Sequence, residues 1–309
     1  MVGKIRKYLE LIRFSHTLFA MPFALLAAAM AWFGDGISPT LPFRVWDWVG
    51  ILVCMVFARA AAMAFNRVVD RKIDALNPRT KNRHLPAGKI TTAQAVGFTG
   101  VCALGFLAGT CCFLPRNPIP VVFAVPVLLF LFGYSFAKRF TWLVHFWLGG
   151  ALMLAPIAAW VAIRGEVLLP YLLSGTFAFP TMEYSPLVLA LGVAFWTAGF
   201  DMIYACMDVE FDQTHRVFSV PGCFGIRAAL RLAAVCHAVV VGILACLPWV
   251  YPPFGRLWWG GCGVIAILLI YEHSVVDVRD PGKVNVAFFH VNAIISGTLL
   301  AVGLGDLFF

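Results

Sequence analysis

Asn66, Asp70 and Asp74 stand four residues apart in FNRVVDRKIDALNPRTKNRHLPAG, Phe65 to Gly88, and Arg79, Lys81 and Arg83 follow them. On a helix, a spacing of four puts side chains on one face about 6 Å apart, within reach of a single ligand. Carboxylates that close repel one another unless a cation relieves them. Hard oxygen ligands suit Mg2+, which is usually held by one or two carboxylates together with substrate phosphates. The guanidinium and ammonium groups alongside are the natural partners of a diphosphate. Taken alone, the stretch reads better as a solvated loop with favourable i,i+4 charges.

A second cluster tips the balance toward a site. In DMIYACMDVEFDQTHRVFSVPGCFG, Asp201 to Gly225, Asp208 and Asp212 repeat the spacing of Asp70 and Asp74 at an offset of 138 residues. Tyr204 stands where Asn66 stands, and Arg216 and Pro221 follow as Arg83 and Pro86 do. Facing stripes Asn66–Asp70–Asp74 and Tyr204–Asp208–Asp212 would offer up to four carboxylates to Mg2+ and a diphosphate. Weak internal repeats of this kind are common in membrane folds.

The elements that must position these residues are apolar. The chain has 309 residues, 61% hydrophobic and only 12% charged, with a mean hydropathy of +0.88. No single soluble core of this size hides so much apolar surface, so the solvent is a bilayer. Apolar runs near residues 14–33, 48–65, 93–114, 119–136, 142–163, 187–207, 228–250, 257–271 and 286–304 approach the ~20 residues a span needs. They lack strand alternation, which predicts an all-α, polytopic membrane protein of nine transmembrane helices in one domain over 1–309. Its two acidic motifs would open on the cytoplasmic side of a central cavity. AMA at Ala29–Ala31 could mark a cleaved leader, but the run is long for one and is read as a retained helix.

Cations set the orientation. Lys4, Arg6, Lys7, Arg13, the cations of the 66–90 loop, Lys138, Arg139, Arg216, Arg227, Arg231, Arg279 and Lys283 gather on one side. Arg44, Arg116, Arg164 and Arg256 lie on the other. The expectation is a bacterial plasma (inner) membrane with the N-terminus cytoplasmic and the C-terminus opposite. The net charge of +8 is then a topology signal with attraction to anionic headgroups, and points to no nucleic acid. Nine cysteines show no paired CxxC spacing and seven histidines no HExxH, which speaks against zinc and disulfides. His145, His237 and His290 read as packing or interface residues, and Glu272 as reaching the interface near a span end. No protein partner can be inferred.

These residues resemble the UbiA superfamily of intramembrane aromatic prenyltransferases. Its first pattern is matched by Asn66, Asp70, Asp74, Arg79, Thr80, Arg83, Leu85, Pro86 and Gly88, its second by Asp201, Tyr204, Ala205, Asp208 and Asp212. Its tyrosine–lysine element is matched by Tyr134, Lys138 and Arg139. The resemblance implies Mg2+-dependent transfer of a polyprenyl group from a polyprenyl diphosphate to an aromatic acid in quinone biosynthesis. DRKIDALNPRTKNR is similar to the branch that prenylates 4-hydroxybenzoate. FSHTLFAMPFAL and HRVFSVPGCFG are similar to a subgroup acting on a dihydroxynaphthoate on the way to menaquinone.

In that reading Asn66, Asp70, Asp74, Asp208 and Asp212 hold Mg2+, with Asp70, Asp208, Tyr134 and Tyr204 as catalytic residues. Lys138, Arg79, Arg83, Arg139 and Arg216 meet the diphosphate. Tyr134 and Tyr204 offer aromatic faces to an allylic cation. Arg13, Arg67 and Arg59 are candidates for the acceptor's carboxylate. Arg59 lies seven residues before Asn66 and Asp201 seven before Asp208; charges at that depth are seldom unpaired, so both are expected in the cavity or in an ion pair. A cation-coupled transporter is the rival class, disfavoured because such sites lie near the midplane on broken helices.

Overall fold

A computed structural model describes residues 2–12, 21–34, 41–175, 178–278 and 280–309. Every regular element among them is helical, as expected of backbone that must satisfy its own hydrogen bonds in hydrocarbon. The helices are α1 Val2–Leu11, α2 Met21–Phe33, α3 Val45–Leu76, α4 Thr92–Thr110, α5 Ile119–Ala137, α6 Val144–Leu173 and α7 Ser185–Ala205. They continue as α8 Val209–His215, α9 Val220–Phe224, α10 Ile226–Val250, α11 Arg256–Val275, α12 Pro281–Asn285 and α13 Asn292–Phe308. Among the described residues, eight helical stretches are long and apolar enough to cross a bilayer, and α2 is a shorter apolar helix of 13 residues. The chain divides into two compact units, 1–17 with 46–137, and 18–45 with 138–309.

In the first unit, α3 lays one face into the interior. Ala60, Ala61 and Ala64 pack with Ile12, Cys102, Phe106, Ala124 and Leu128. The same stripe then turns charged, through Arg67, Asp70 and Asp74, all buried. Small residues let α4 approach α3: a Cβ at Gly105 would lie 2.6 Å from the Phe57 ring, and one at Gly109 2.9 Å from Val53. Spacing of four between small residues is the membrane device for such crossings. Thr91 and Gln94 form a reciprocal capping box at the start of α4. At the far end of α3 from the acids, Arg116 Nη2 pairs with Asp47 Oδ1 at 2.6 Å.

The second unit is built around α7, which packs against α6 and α10 and buries residues on all sides, from Leu189 to Ile203. Gly149 of α6 sits against the backbone carbonyl of Ala194, and Gly199 against the His237 ring. At the end where α7 begins, Arg164 Nη2 pairs with Glu183 Oε1 at 2.6 Å, and Trp160 Nε1 donates to Glu183 Oε2 at 2.7 Å. Nearby, Arg44 pairs with Glu166 at 2.7 Å. Asp306 accepts from the N–H groups of Gly255 and Trp258 and so caps α11.

Several elements depart from the sequence reading. The run expected over 142–163 is a helix to Leu173, because Arg164 and Glu166 find partners and need no loop. Glu272, expected at the interface, is fully buried and accepts from Asn292 Nδ2 at 3.2 Å. The last run opens with a π-helical turn, Val286–Val291, whose Ala287 and Phe288 carbonyls accept from the same Asn292 side-chain amide. Trp196 Nε1 donates to Asn292 Oδ1 at 2.6 Å.

Candidate active site

Each unit carries one acidic half-site. In the first, α3 runs unbroken through Asn66, Asp70 and Asp74, so the stripe inferred from spacing is a real helical face. Asn66 Nδ2 donates to Asp70 Oδ2 at 2.9 Å, and Arg67 Nη1 approaches Asn66 Oδ1 at 3.5 Å. Asp74, 6% exposed at its side chain, receives Arg83 Nη1 on Oδ1 at 2.7 Å. Its Oδ2 is buried without a hydrogen-bond partner.

The segment after α3 is wound tightly enough to return Arg83 to Asp74. Asn77 Oδ1 accepts from the Arg79 amide, Thr80 Oγ1 donates to the Asp74 carbonyl at 2.9 Å, and Gly88 closes the last turn at φ +68°. That left-handed value favours glycine. Arg79 is exposed. Arg59, in the apolar part of α3, has a buried Nε with no hydrogen-bond partner.

The second half-site differs from the first. The stripe Tyr204–Asp208–Asp212 was expected on one continuous helix, but α7 ends at Ala205 and a 3-10 turn, Cys206–Asp208, precedes α8. The tighter turn changes the angular register, so i,i+4 geometry does not carry across it. Asp208 itself sits at φ −108°, ψ 7°, the sparsely allowed bridge region common at active sites.

Asp212 Oδ2 accepts from Ser219 Oγ at 2.7 Å, and its carbonyl accepts from the Val217 amide. Tyr204 lies against Phe288 of the π turn, ring centroids 4.3 Å apart. Arg216 is exposed and left-handed, φ 53°. Tyr134 and Lys138 are half-buried at the end of α5 and just beyond it, and Arg139 is exposed. The Lys138 carbonyl accepts from the Phe218 amide at 2.8 Å.

Asp201, expected near the acceptor, has its Oδ2 bonded to His145 Nδ1 at 2.7 Å. His145, read from sequence as a packing residue, is therefore a polar member of this half-site. Nothing in spacing announces a pair 56 residues apart. Arg13 lies outside the described residues.

The donors fit a hard divalent cation. They are carboxylate and amide oxygens, and the orphaned Asp74 Oδ2 is the kind of buried acceptor a cation would satisfy. Within either unit, no group of three acids, histidines or cysteines converges among the described residues. Each half-site thus brings two carboxylates, the number from which Mg2+ is usually bound alongside phosphates and water.

Fold and half-sites together define a polytopic helical membrane protein with a duplicated acidic motif. Comparison with known proteins makes the class specific. The UbiA prenyltransferase family matches residues 20–294, and the chain belongs to that family; it is a prenyltransferase enzyme. The 4-hydroxybenzoate octaprenyltransferase of Vibrio parahaemolyticus is 30% identical, over 84% of each chain. The apo structure of a UbiA homolog from Aeropyrum pernix superposes with a TM-score of 0.79 at 27% identity, covering 94% of this chain and 98% of that one. A UbiA homolog from Archaeoglobus fulgidus bound to DMAPP and Mg2+ shares the fold, with a TM-score of 0.68 at 20% identity over 97% and 99% of the two chains.

Proposed function

We propose that the protein transfers a polyprenyl group from a polyprenyl diphosphate to 4-hydroxybenzoate, as one catalytic domain over residues 1–309 of a bacterial inner-membrane protein whose N-terminus is cytoplasmic. The observation that carries the site is the buried Asp70–Asp74 pair on α3, with Asp74 Oδ2 unpartnered. The acceptor rests on the name of the Vibrio relative. A dihydroxynaphthoate is the second reading, favoured by the FSHTLFAMPFAL and HRVFSVPGCFG segments.

Asp70, Asp74, Asp208 and Asp212 would hold Mg2+, with Asn66 Oδ1 as a further oxygen ligand; the Archaeoglobus homolog bound to DMAPP and Mg2+ supports the choice of ion. Bound there, Mg2+ supplies Lewis-acid neutralisation of the diphosphate leaving group. Lys138, Arg79, Arg139 and Arg216 add fixed positive charge where that group's negative charge develops. Arg83 does its part through Asp74.

The faces of Tyr134 and Tyr204 would stabilise the allylic cation, which needs apolar surroundings to keep water from quenching it. The ring carbon ortho to the acceptor's hydroxyl forms the new bond and then loses its proton. Arg67, buried beside Asn66, and Arg59 are the guanidinium groups for the acceptor's carboxylate, with Arg13 a third.

The test uses membranes carrying the protein, Mg2+, a labelled allylic diphosphate, and 4-hydroxybenzoate or dihydroxynaphthoate in parallel. Product with 4-hydroxybenzoate, lost on chelation and in both Asp70→Ala and Asp208→Ala, is expected. Product with the naphthoate alone would replace the acceptor. Diphosphate binding indifferent to Mg2+ and to both substitutions would overturn the site.

A further inference from the structure

The turn between α8 and α9 is held from two sides at adjacent residues. Ser219, the N-cap of α9, accepts the Gly222 amide on Oγ at 3.0 Å and gives its own hydrogen to Asp212 Oδ2 at 2.7 Å. The next amide, Val220 N–H, donates to His145 Nε2 at 3.2 Å. The first amides of a helix have no partner within it, so His145 of α6 supplies one. His145, Asp212, Ser219 and Val220 are all buried.

This bond settles the state of the ring. A nitrogen that accepts from an amide must present its lone pair. Nε2 therefore carries no hydrogen, and the ring hydrogen is on Nδ1, directed at Asp201 Oδ2 2.7 Å away. Asp201 selects the tautomer, the tautomer accepts Val220, and Val220 holds the turn whose Ser219 grips one oxygen of Asp212.

We infer that His145, as the Nδ1–H tautomer oriented by Asp201, is a positioning residue that presets the Asp212 carboxylate, committing Oδ2 to Ser219 and leaving Oδ1 for the metal–diphosphate. The inference rests on the reading of Asp212 as a ligand of that group. Partners that act through another residue in this way govern metal affinity by about 10- to 100-fold.

The test uses the full chain in detergent and calorimetric titration of Mg2+ with inorganic diphosphate. His145→Phe keeps a ring and removes both hydrogen bonds; affinity is expected to fall about tenfold or more. His145→Gln can accept from Val220 through Oε1 and donate to Asp201 through its amide, and is expected to restore affinity to within about threefold. Side-chain bulk alone would rank the two the other way.

Nitrogen-15 spectra of the histidine rings, with the His145 signals assigned by their loss in His145→Gln, are expected to show hydrogen on Nδ1 alone. Hydrogen on Nε2 in the wild-type protein overturns the inference even where His145→Phe fails to fold. Asp212→Asn separates the two levels. If it abolishes binding while folded His145→Phe binds normally, the positioning role is wrong. If Asp212→Asn itself binds normally, the ligand reading falls and the inference with it.

Discussion

Arg83 holds one oxygen of Asp74 at 2.7 Å while the other has no partner, and that asymmetry yields a sharp expectation. If Asp74 binds Mg2+ through Oδ2, Arg83 fixes the carboxylate's rotation for it, and Arg83→Ala leaves both oxygens of a buried carboxylate without a donor. A hydrogen bond to a charged group contributes about 1.5–3 kcal/mol. The arginine side chain is 22% exposed and the aspartate 6%, so solvent screening places the effect near the lower bound, about 1.5 kcal/mol, or roughly tenfold in affinity.

The assay is calorimetric titration of the solubilised protein with inorganic diphosphate, with and without Mg2+. The loss is expected only with Mg2+ present, and Arg83→Lys should recover part of it, because a lysine keeps the charge without the guanidinium fork. A loss of the same size without Mg2+ would mean that Arg83 contacts the diphosphate directly. Unchanged or tighter Mg2+-dependent binding would mean that Arg83 competes with the cation for Asp74, and the reasoning would be refuted.

Two stability expectations follow from the packing. Glu183→Ala strands buried Arg164 and removes the acceptor of Trp160, so reversible unfolding in mixed micelles should show a loss of about 3–5 kcal/mol. The joint replacement Arg164→Met with Glu183→Leu should cost much less, and equal costs would contradict a buried pair. Gly149→Ala drives a methyl into the Ala194 carbonyl at the α6–α7 crossing and should cost about 1–3 kcal/mol. Gly97→Ala meets nothing within 4 Å on α4 and should stabilise by up to about 1 kcal/mol; equal effects at the two glycines would contradict the crossing.

What the sequence revealed followed from local rules. Apolar runs became helices because hydrocarbon leaves the backbone no other partner, and the spacing of Asn66, Asp70 and Asp74 became a face because α3 does not break. The same inference failed at Cys206–Asp208, where a 3-10 turn leaves no trace in residue spacing. The length of α6 was hidden because Arg164 and Glu166 look like loop residues until their distant partners, Glu183 and Arg44, are known. His145 and Asp201 meet only through the packing of α6 on α7, and the burial of Glu272 depends on Asn292, 20 residues on. Local spacing speaks for groups on one turn of helix; contacts made between helices must be seen.

The ion pairs remote from the acidic half-sites bear on how such a chain enters its membrane. In each unit, the end away from the half-site holds arginines in ion pairs, three in all: Arg116 with Asp47 in one, Arg164 with Glu183 and Arg44 with Glu166 in the other. In the orientation we propose, these residues must be carried outward across a bilayer that is negative inside. Each arginine then moves against the potential at about 2.3 kcal/mol per 100 mV, and each carboxylate returns the same amount. Within these three pairs the electrical work of insertion cancels. Arg256, the fourth arginine of that side, sits at the start of α11 between amides that Asp306 caps, and the cations beside the half-sites never cross.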